Sequence, residues 1–286
     1  MIGELVLAIE ALAPCRLAAE WDKVGLLVGD AARPLKRALL CIDLTEETLS
    51  EAIAHKCEAV IAYHPPIFEP IARITSYQPR GALLMRCIEH RVALISPHTA
   101  LDAVQGGVTD WLADMLGEGK RWPIEAAMMP TSASAHSREG TAVPTPHDHA
   151  KSDVKQGHGR IVQLQRALTH SAIALRLRRA LKIPAHGLQL VQSRHARSHR
   201  RIGVVPGAGC SLLHQAADQG CTLFITGEAR HHDQLAAKAW GCDLMLAGHT
   251  QTERGYLPTL AKNLAPHLLN VKLLVSTSDT PPNRAM

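Results

Sequence analysis

One repeated pattern constrains the fold of this chain most. It is an apolar run followed by a histidine and, four residues later, by an acid, and it occurs twice. Residues 92–102 read VALISPHTALD and residues 243–253 read DLMLAGHTQTE. Short apolar runs of this kind are typical of strands buried in a parallel sheet, and open α/β sheets form their sites at the carboxyl ends of such strands. The repeat predicts two related α/β lobes that offer side chains at strand ends. These side chains are His98, Asp102, His249 and Glu253.

The rest of the chain alternates between apolar runs of strand length and segments with helical spacing. Further strands are predicted over residues 24–28, 37–42, 58–62, 160–164, 188–192, 202–205, 221–226 and 269–275. Helices are predicted over residues 3–13, 46–56, 80–90, 107–116, 170–182, 211–219, 232–240 and 256–264. Strands that alternate with helices in this way indicate βαβ units around a largely parallel sheet.

A third histidine also follows a predicted strand. His64 stands directly before Pro65 and Pro66, and two prolines can neither donate to a strand ladder nor continue it. His64 is therefore expected at the carboxyl end of its strand. Glu228 occupies the corresponding place after strand 221–226 in the second half.

Changes in composition along the chain predict three segments. Residues 1–117 form an N-terminal α/β lobe, residues 118–159 a flexible linker or insertion, and residues 160–286 a C-terminal α/β lobe. The linker is rich in proline and small polar residues, which is typical of flexible segments. Its histidines have no fixed geometry, so no metal site is assigned to them. The basic loop 193–201 (SRHARSHRR) fits either a phosphate-binding patch or a solvated surface.

Composition excludes several classes of protein. Aromatic residues make up 3% of the chain, too few for nucleic-acid modules that stack bases on aromatic side chains. Seven cysteines occur without a C-x-x-C pair, which indicates reduced thiols in an intracellular compartment. No secretory signal and no apolar run near the ~20 residues of a membrane span is found. We expect a cytoplasmic protein, with a mitochondrial or nuclear pool left open.

The predicted strand ends carry the side chains of a metal site. Imidazole and carboxylate groups are ligands for Zn, Mn and Fe, and four of them predict one or two divalent ions held by His64, Asp102, His249 and Glu253. Two ions about 3.5–4 Å apart would activate water for hydrolysis. His98, Thr99 and Glu228 are expected to orient these ligands. A purely structural role for each histidine is the alternative that the pattern leaves open.

Four segments resemble one known family. They are residues 21–26 (WDKVGL), 62–68 (AYHPPIF), 96–102 (SPHTALD) and 248–255 (GHTQTERG). They are similar to the signature segments of the NIF-three-like dinuclear metal protein family, whose bacterial members are often labelled GTP cyclohydrolase type-two homologues. The resemblance covers roughly residues 1–117 and 200–282. Lys23 stands where the family usually has asparagine.

The resemblance implies a two-lobed α/β fold with a di-metal centre between the lobes and a toroidal, often hexameric, assembly. By motif position, the implied ligands are His64, Asp102, His249 and Glu253. Many bacterial members have a second histidine where this chain has Tyr63, as in the eukaryotic branch. This difference leaves the number of ions at one or two, because a phenol with a pKa near 10 is a poor ligand at neutral pH. A phenol can still donate a hydrogen bond.

Two functions follow as hypotheses. The first is a metal-dependent hydrolase that acts on a nucleotide or another phosphorylated small molecule, with Glu228 or His98 as the proton carrier. The second is a non-catalytic oligomeric scaffold or transcription-related regulatory adaptor, which the family's link to a transcriptional co-activator suggests. The linker and the basic loop would then serve as surfaces for a protein partner. Substrate and metal identity stay open.

Overall fold

A computed structural model describes residues 1–127, 155–184, 186–193 and 198–282. The helices are α1 (Ile2–Leu12), α2 (Glu46–Ala54), α3 (Pro79–Glu89), α4 (His98–Ala103), α5 (Val108–Asp114), α6 (His170–Leu181), α7 (Leu213–Asp218), α8 (His231–Ala239), α9 (Gln251–Arg254) and α10 (Leu257–Leu264). The strands are β1 (Gly25–Val28), β2 (Arg37–Cys41), β3 (Ala59–Ala62), β4 (Ala93–Ser96), β5 (Gly119–Trp122), β6 (Glu125–Ala126), β7 (Gly157–His158), β8 (Arg160–Thr169), β9 (Gln189–Val191), β10 (Ser198–Val204), β11 (Leu223–Thr226), β12 (Asp243–Leu246) and β13 (Lys272–Val275).

Two mixed sheets form the centre of the fold. The first has the order β1-β4-β3-β2-β13 and the second the order β5-β8-β10-β11-β12-β9, while β6 and β7 pair separately. In the first sheet β2, β3 and β4 are parallel and β1 is antiparallel to β4. In the second, β10, β11 and β12 are parallel and β9 is antiparallel to β12. The predicted α/β class is confirmed, and the matching orders agree with two related lobes.

The central strands form because their apolar residues are buried on both faces of a sheet. Every residue of β3, β4, β11 and β12 is buried, as expected for parallel strands that helices cover on both sides. Side chains alternate between faces along a strand. Leu40 and Ile61 therefore join one apolar cluster of the first sheet, and Leu39 and Val60 join the other.

Two strands pair in a way that the sequence does not predict. β13 pairs in parallel with β2 of the first sheet, although residues 269–275 were assigned to the C-terminal lobe. β5 pairs with β8 of the second sheet, although residues 118–159 were expected to be a linker. The lobe boundaries at residues 117 and 159 stay a prediction. The pairing shows that the chain crosses between the sheets, which local sequence patterns do not encode.

The predicted linker and the predicted basic loop both contain ordered strands. Residues 119–122, 125–126 and 157–158 of the predicted linker form strands. Residues 119–122 (β5) pair with β8. Residues 125–126 (β6) and 157–158 (β7) pair with each other. Residues 198–201 belong to β10, so this part of the basic segment is not a loop. The remaining residues of both predictions, 128–154 and 194–197, lie outside the described residues.

A buried arginine joins the two sheets near α4. Arg160, at the start of β8, is 1% exposed. Its Nε and Nη2 donate to both carboxylate oxygens of Asp110 on α5, at 2.8 and 3.3 Å. Its guanidinium also donates to the backbone carbonyls of Ala103, Val104, Gly157 and Gly159. Because a buried charge is stable only when it is fully hydrogen-bonded, this network fixes the end of α4 relative to the second sheet.

A carboxylate on α2 holds the segment that follows β13. Glu51 accepts from Thr277 N at 2.9 Å and Ser278 N at 3.1 Å, and also from the hydroxyls of Ser276 and Thr277. Burial acts to raise the pKa of Glu51, but these hydrogen bonds outweigh it and lower the pKa to about 2.

Among the described residues, no helix is both long and apolar enough to cross a membrane.

Candidate metal centre

The predicted ligands lie at the carboxyl ends of the parallel strands of both sheets. His64 N donates to Ile42 O at 3.0 Å, so the ladder between β3 and β2 continues to His64 before Pro65 ends it. In the second sheet, Gly248 N donates to Gly227 O at 2.9 Å, and the chain turns there to present His249. Backbone pairing therefore extends to His64 in the first sheet and to Gly248, directly before His249, in the second. It fixes the backbone position of both histidines.

Three of the four predicted ligands converge. His64 Nε2 and His249 Nε2 are 3.4 Å apart. Glu253 Oε2 lies 3.6 Å from His64 Nε2, and Glu253 Oε1 lies 3.5 Å from His249 Nε2. These three residues form a group with the geometry to hold a metal ion. The two imidazoles come from different sheets, so the group spans the junction between them.

The spacing and the burial of this group fit a divalent cation. Ligand atoms bound tetrahedrally to zinc at about 2.0–2.1 Å lie about 3.3 Å apart, which is close to the observed separations. Glu253 is 3% exposed, and its Oε2 has no hydrogen-bond partner among the described residues. A buried carboxylate oxygen without a partner is costly unless a cation or a donor satisfies it. The residues present therefore fit the metal that the sequence suggested.

Asp102, the fourth predicted ligand, lies beside the group of three but is not part of it. Tyr63 Oη donates to Asp102 Oδ1 at 2.6 Å, which confirms that Tyr63 acts as a hydrogen-bond donor. Burial, opposed by this hydrogen bond, raises the pKa of Asp102 to about 6. Burial and the Asp102 charge raise the pKa of Tyr63 well above its usual value, so the phenol stays neutral.

A carboxylate stands behind each imidazole of the group. Asp43 Oδ1 lies 2.8 Å from His64 Nδ1, and Glu228 Oε1 lies 3.1 Å from His249 Nδ1. Carboxylates in this position fix the ring orientation and leave Nε2 as the electron-pair donor. Burial acts to lower the pKa of His64, but the hydrogen bond to Asp43 and the negative charge of Glu253 outweigh it and raise the pKa to about 10. Positive charge at this point is therefore favoured.

His98 is placed near the group by a second buried acid. Its Nδ1 lies 2.8 Å from Asp22 Oδ1, and Thr99 N donates to Asp22 Oδ2 at 3.0 Å. Burial acts to raise the pKa of Asp22, but the His98 hydrogen bond and charge outweigh it and lower the pKa. The His98 ring packs edge-on against those of His64 and Tyr63, with centroids 5.3 and 5.5 Å apart.

A glycine allows the second sheet to approach the group. A Cβ on Gly207 would lie 2.5 Å from Glu253 Oε1 and 3.2 Å from His249 Nε2, and the residue has a φ of +60°. Gly207 N donates to Thr252 Oγ1 at 2.9 Å. The close approach of this backbone to the candidate ligands is what requires a glycine here.

Sequence reasoning missed two acids of the site. Asp43 was read only as the start of the loop before α2, and Asp22 only as part of a family segment. Asp43 follows the end of β2, so it satisfies the same strand-end rule that identified His64. Asp22 lies in an irregular segment before β1 and gives no comparable signal.

The fold and the site define a two-sheet α/β protein in which both sheets contribute candidate metal ligands. The chain belongs to the Duf34/NIF3 (NGG1p interacting factor 3) family, whose model matches residues 1–282.

Individual relatives agree with this assignment over nearly the whole chain. The chain is 32% identical to the NIF3-like protein 1 of Drosophila melanogaster, with 98% of this chain and 88% of that protein covered. It is also 32% identical to the protein NIF3 homolog of Schizosaccharomyces pombe, with 99% and 98% covered. The crystal structure of a Bacillus cereus protein related to NIF3 superposes with a TM-score of 0.82 at 23% identity, covering 99% and 98%. At this level of identity, the similarity to the Bacillus cereus structure supports the fold alone.

Proposed function

We propose that the chain binds a divalent metal ion through His64, His249, Glu253 and Asp102 and uses it to hydrolyse a nucleotide or another phosphorylated small molecule. The observation that carries the proposal is the group of three ligands with separations of 3.4, 3.5 and 3.6 Å. Mixed imidazole and carboxylate ligands suit Zn, Mn or Fe. When bound, such an ion supplies Lewis-acid activation of water and of the scissile phosphate.

The residues around the ligands have separate tasks in this proposal. Asp43 and Glu228 keep the two imidazoles in the orientation that binds a cation. Tyr63 keeps Asp102 Oδ1 occupied and so limits the way in which that carboxylate reaches the ion. His98 is the better candidate for the proton carrier, because Asp22 engages its Nδ1 and leaves Nε2 to exchange a proton. Glu228 is instead engaged by His249.

The hydrolase proposal is tested with purified protein loaded with zinc, manganese or iron. We expect release of product from at least one class in a panel of nucleotides and sugar phosphates. His249→Ala should lose both metal and turnover. His98→Gln should retain the metal and lose about 10²–10⁴-fold in turnover, the usual contribution of a general acid or base. His267→Ala, at an exposed position, is the control. A fully loaded protein that is inert against the whole panel refutes the proposal.

We also propose a toroidal homo-oligomer, which the resemblance of the motif segments to the family supports. Light scattering after size-exclusion chromatography measures the assembly directly. A mass of six chains is expected, and a monomer over the working concentration range would contradict the proposal.

A non-catalytic adaptor is the second candidate, and an exposed aromatic pair favours it. Trp21 and Phe68 are 57% and 42% exposed, with ring centroids 5.6 Å apart, and Trp21 also contacts the His98 ring at 5.9 Å. Exposed aromatic side chains are typical of protein-binding surfaces. The matching family model describes an NGG1p interacting factor, and such a partner surface is proposed here for this chain.

Paired variants separate the two candidates in cells. Trp21→Ala with Phe68→Ala should abolish partner binding and the cellular phenotype together if the adaptor role is the relevant one. His249→Ala should spare both in that case. If His249→Ala abolishes the phenotype and leaves partner binding intact, the adaptor hypothesis is wrong.

A further inference from the structure

A second group of metal-ligating side chains lies at the opposite edge of the second sheet. It consists of His170 at the start of α6, His199 in β10 and Asp243 at the start of β12. His249 follows the carboxyl end of β12, whereas Asp243 is its first residue. Four strand residues separate these ends by about 10 Å at about 3.3 Å per step. The second group is therefore distinct from the first.

The three electron-pair donors of this group face one another in the interior. His170 Nε2 lies 2.6 Å from Asp243 Oδ2 and 2.8 Å from His199 Nε2, and His199 Nε2 lies 3.5 Å from Asp243 Oδ2. The side chains of His199 and Asp243 are 0% exposed, and that of His170 is 15% exposed. Among the described residues of the group, His170 is the one whose side chain is open to solvent.

Two outward-facing atoms of the group, on Asp243 and His199, already have partners. Asp243 Oδ1 accepts from Ser193 N at 2.6 Å and from Ser193 Oγ at 2.7 Å. His199 Nδ1 lies 3.0 Å from Thr222 Oγ1. Outer partners of this kind orient metal ligands. They leave Oδ2 and both Nε2 atoms directed at a common point.

Hydrogen bonds alone cannot satisfy this arrangement. An imidazole nitrogen carries either one hydrogen or one lone pair, so His170 Nε2 can make one good hydrogen bond in the plane of its ring. It nevertheless has two close neighbours, at 2.6 and 2.8 Å. With a hydrogen on His170 Nε2, Asp243 Oδ2 and the lone pair of His199 Nε2 must share that one hydrogen. Without it, the lone pair of His170 Nε2 faces the Asp243 carboxylate oxygen. Either mismatch is buried, where it is costly.

A cation at the centre removes the mismatch, because all three atoms can then act as electron-pair donors. In a tetrahedral zinc site, ligand atoms lie about 3.3 Å apart, so the two shorter contacts need to open by about 0.5–0.7 Å. A rotation of the His170 side chain, the most exposed of the three, supplies this change.

We propose that His170, His199 and Asp243 form a second site for a divalent transition-metal ion, with zinc preferred and a water molecule as the fourth ligand. Two imidazoles and one carboxylate suit a borderline ion of this kind. The site connects α6, β10 and β12, which are far apart in sequence. Its role is to stabilise the second sheet, because binding to the folded state alone raises stability.

The test uses the full-length protein with the first site disabled by His64→Ala and His249→Ala. This background protein should retain one zinc ion per chain after dialysis, measured by elemental analysis. Adding His170→Gln should remove it. His214→Gln is the matched control, because His214 forms an exposed pair with Asp218 at 3.2 Å in the same sheet's helical layer. That control should retain the ion.

Two further readouts do not depend on a variant of the second site. Zinc should raise the thermal midpoint of the background protein, and X-ray absorption of the bound zinc should show two imidazoles and only nitrogen or oxygen ligands. A background protein that binds no zinc overturns the proposal. So does a His170→Gln protein that folds and binds as much zinc as its parent, or a zinc shell that contains sulfur.

Discussion

The two carboxylates behind the imidazoles of the candidate metal centre differ in a way that predicts unequal effects on metal affinity. Asp43 lies 2.8 Å from His64 Nδ1 and its side chain is 36% exposed. Glu228 lies 3.1 Å from His249 Nδ1 and its side chain is 61% exposed. The substitutions Asp43→Asn and Glu228→Gln keep the shape of each side chain and an acceptor oxygen, and both remove the charge.

The size of each effect follows from exposure. Loss of an outer carboxylate partner costs about 10–100-fold in metal affinity, or about 1.4–2.7 kcal/mol. We expect Asp43→Asn to lower the metal affinity by an amount in this range. Its partner His64 is only 22% exposed, so solvent screens the interaction between the carboxylate and the imidazole only weakly. The exposed Glu228 pair should behave as a surface ion pair worth about 0.2–1 kcal/mol, and Glu228→Gln should therefore cost less than about fivefold.

Competition with a chromophoric chelator measures both affinities at one pH and one salt concentration. A variant with the His170 substitution serves as the parent, so that only the first site is titrated. The reasoning is refuted if Glu228→Gln weakens binding as much as Asp43→Asn. It is also refuted if Asp43→Asn has no effect, because the ring of His64 would then be held by something other than Asp43.

Three further predictions concern stability and packing. Asp110→Ala leaves the buried Arg160 without its carboxylate and should lower the free energy of unfolding by about 3–5 kcal/mol in urea denaturation; a loss under about 1 kcal/mol would contradict the buried-pair argument. Gly207→Ala places a Cβ 2.5 Å from Glu253 Oε1 and should weaken metal binding in calorimetry, so unchanged affinity would be contrary evidence. The pKa of Glu51 falls from 4.5 to about 2 on folding, so its contribution is present above pH 4.5 and is lost as pH falls toward 2. Screening limits this contribution to about 1 kcal/mol, and Glu51→Gln should remove it when unfolding is compared at pH 5 and pH 3.

The elements of the fold could be predicted where burial alone determines them. β3, β4, β11 and β12 are mostly apolar because helices cover both faces of their sheets. The predicted strands 58–62 and 221–226 lie within two residues of the bounds of β3 and β11. The partner of β13 could not be predicted. The chain reaches β2 through α10, which contacts both β2 and β13, and local sequence patterns do not encode this path.

The candidate metal centre was predictable for a different reason. His64, His249 and Glu253 follow strand ends, where open α/β sheets form their sites. The second group has no such signal, because His170 stands at a helix start and His199 lies within a strand. The sequence places His170 at the start of a predicted helix and His199 in the predicted basic loop. Only the pairing of β8 with β10 brings these two residues together.

Tyr63 bears on how the metal content of this chain should be interpreted. Its phenol stays neutral and donates to Asp102, so Tyr63 does not supply the additional ligand that a second ion would need. The two proposed sites together then predict one ion in the candidate centre and one at the second group. A measured content of two ions per chain would then not indicate a dinuclear centre. His170→Gln distinguishes the cases, because it lowers the content to one only if the two ions occupy separate sites.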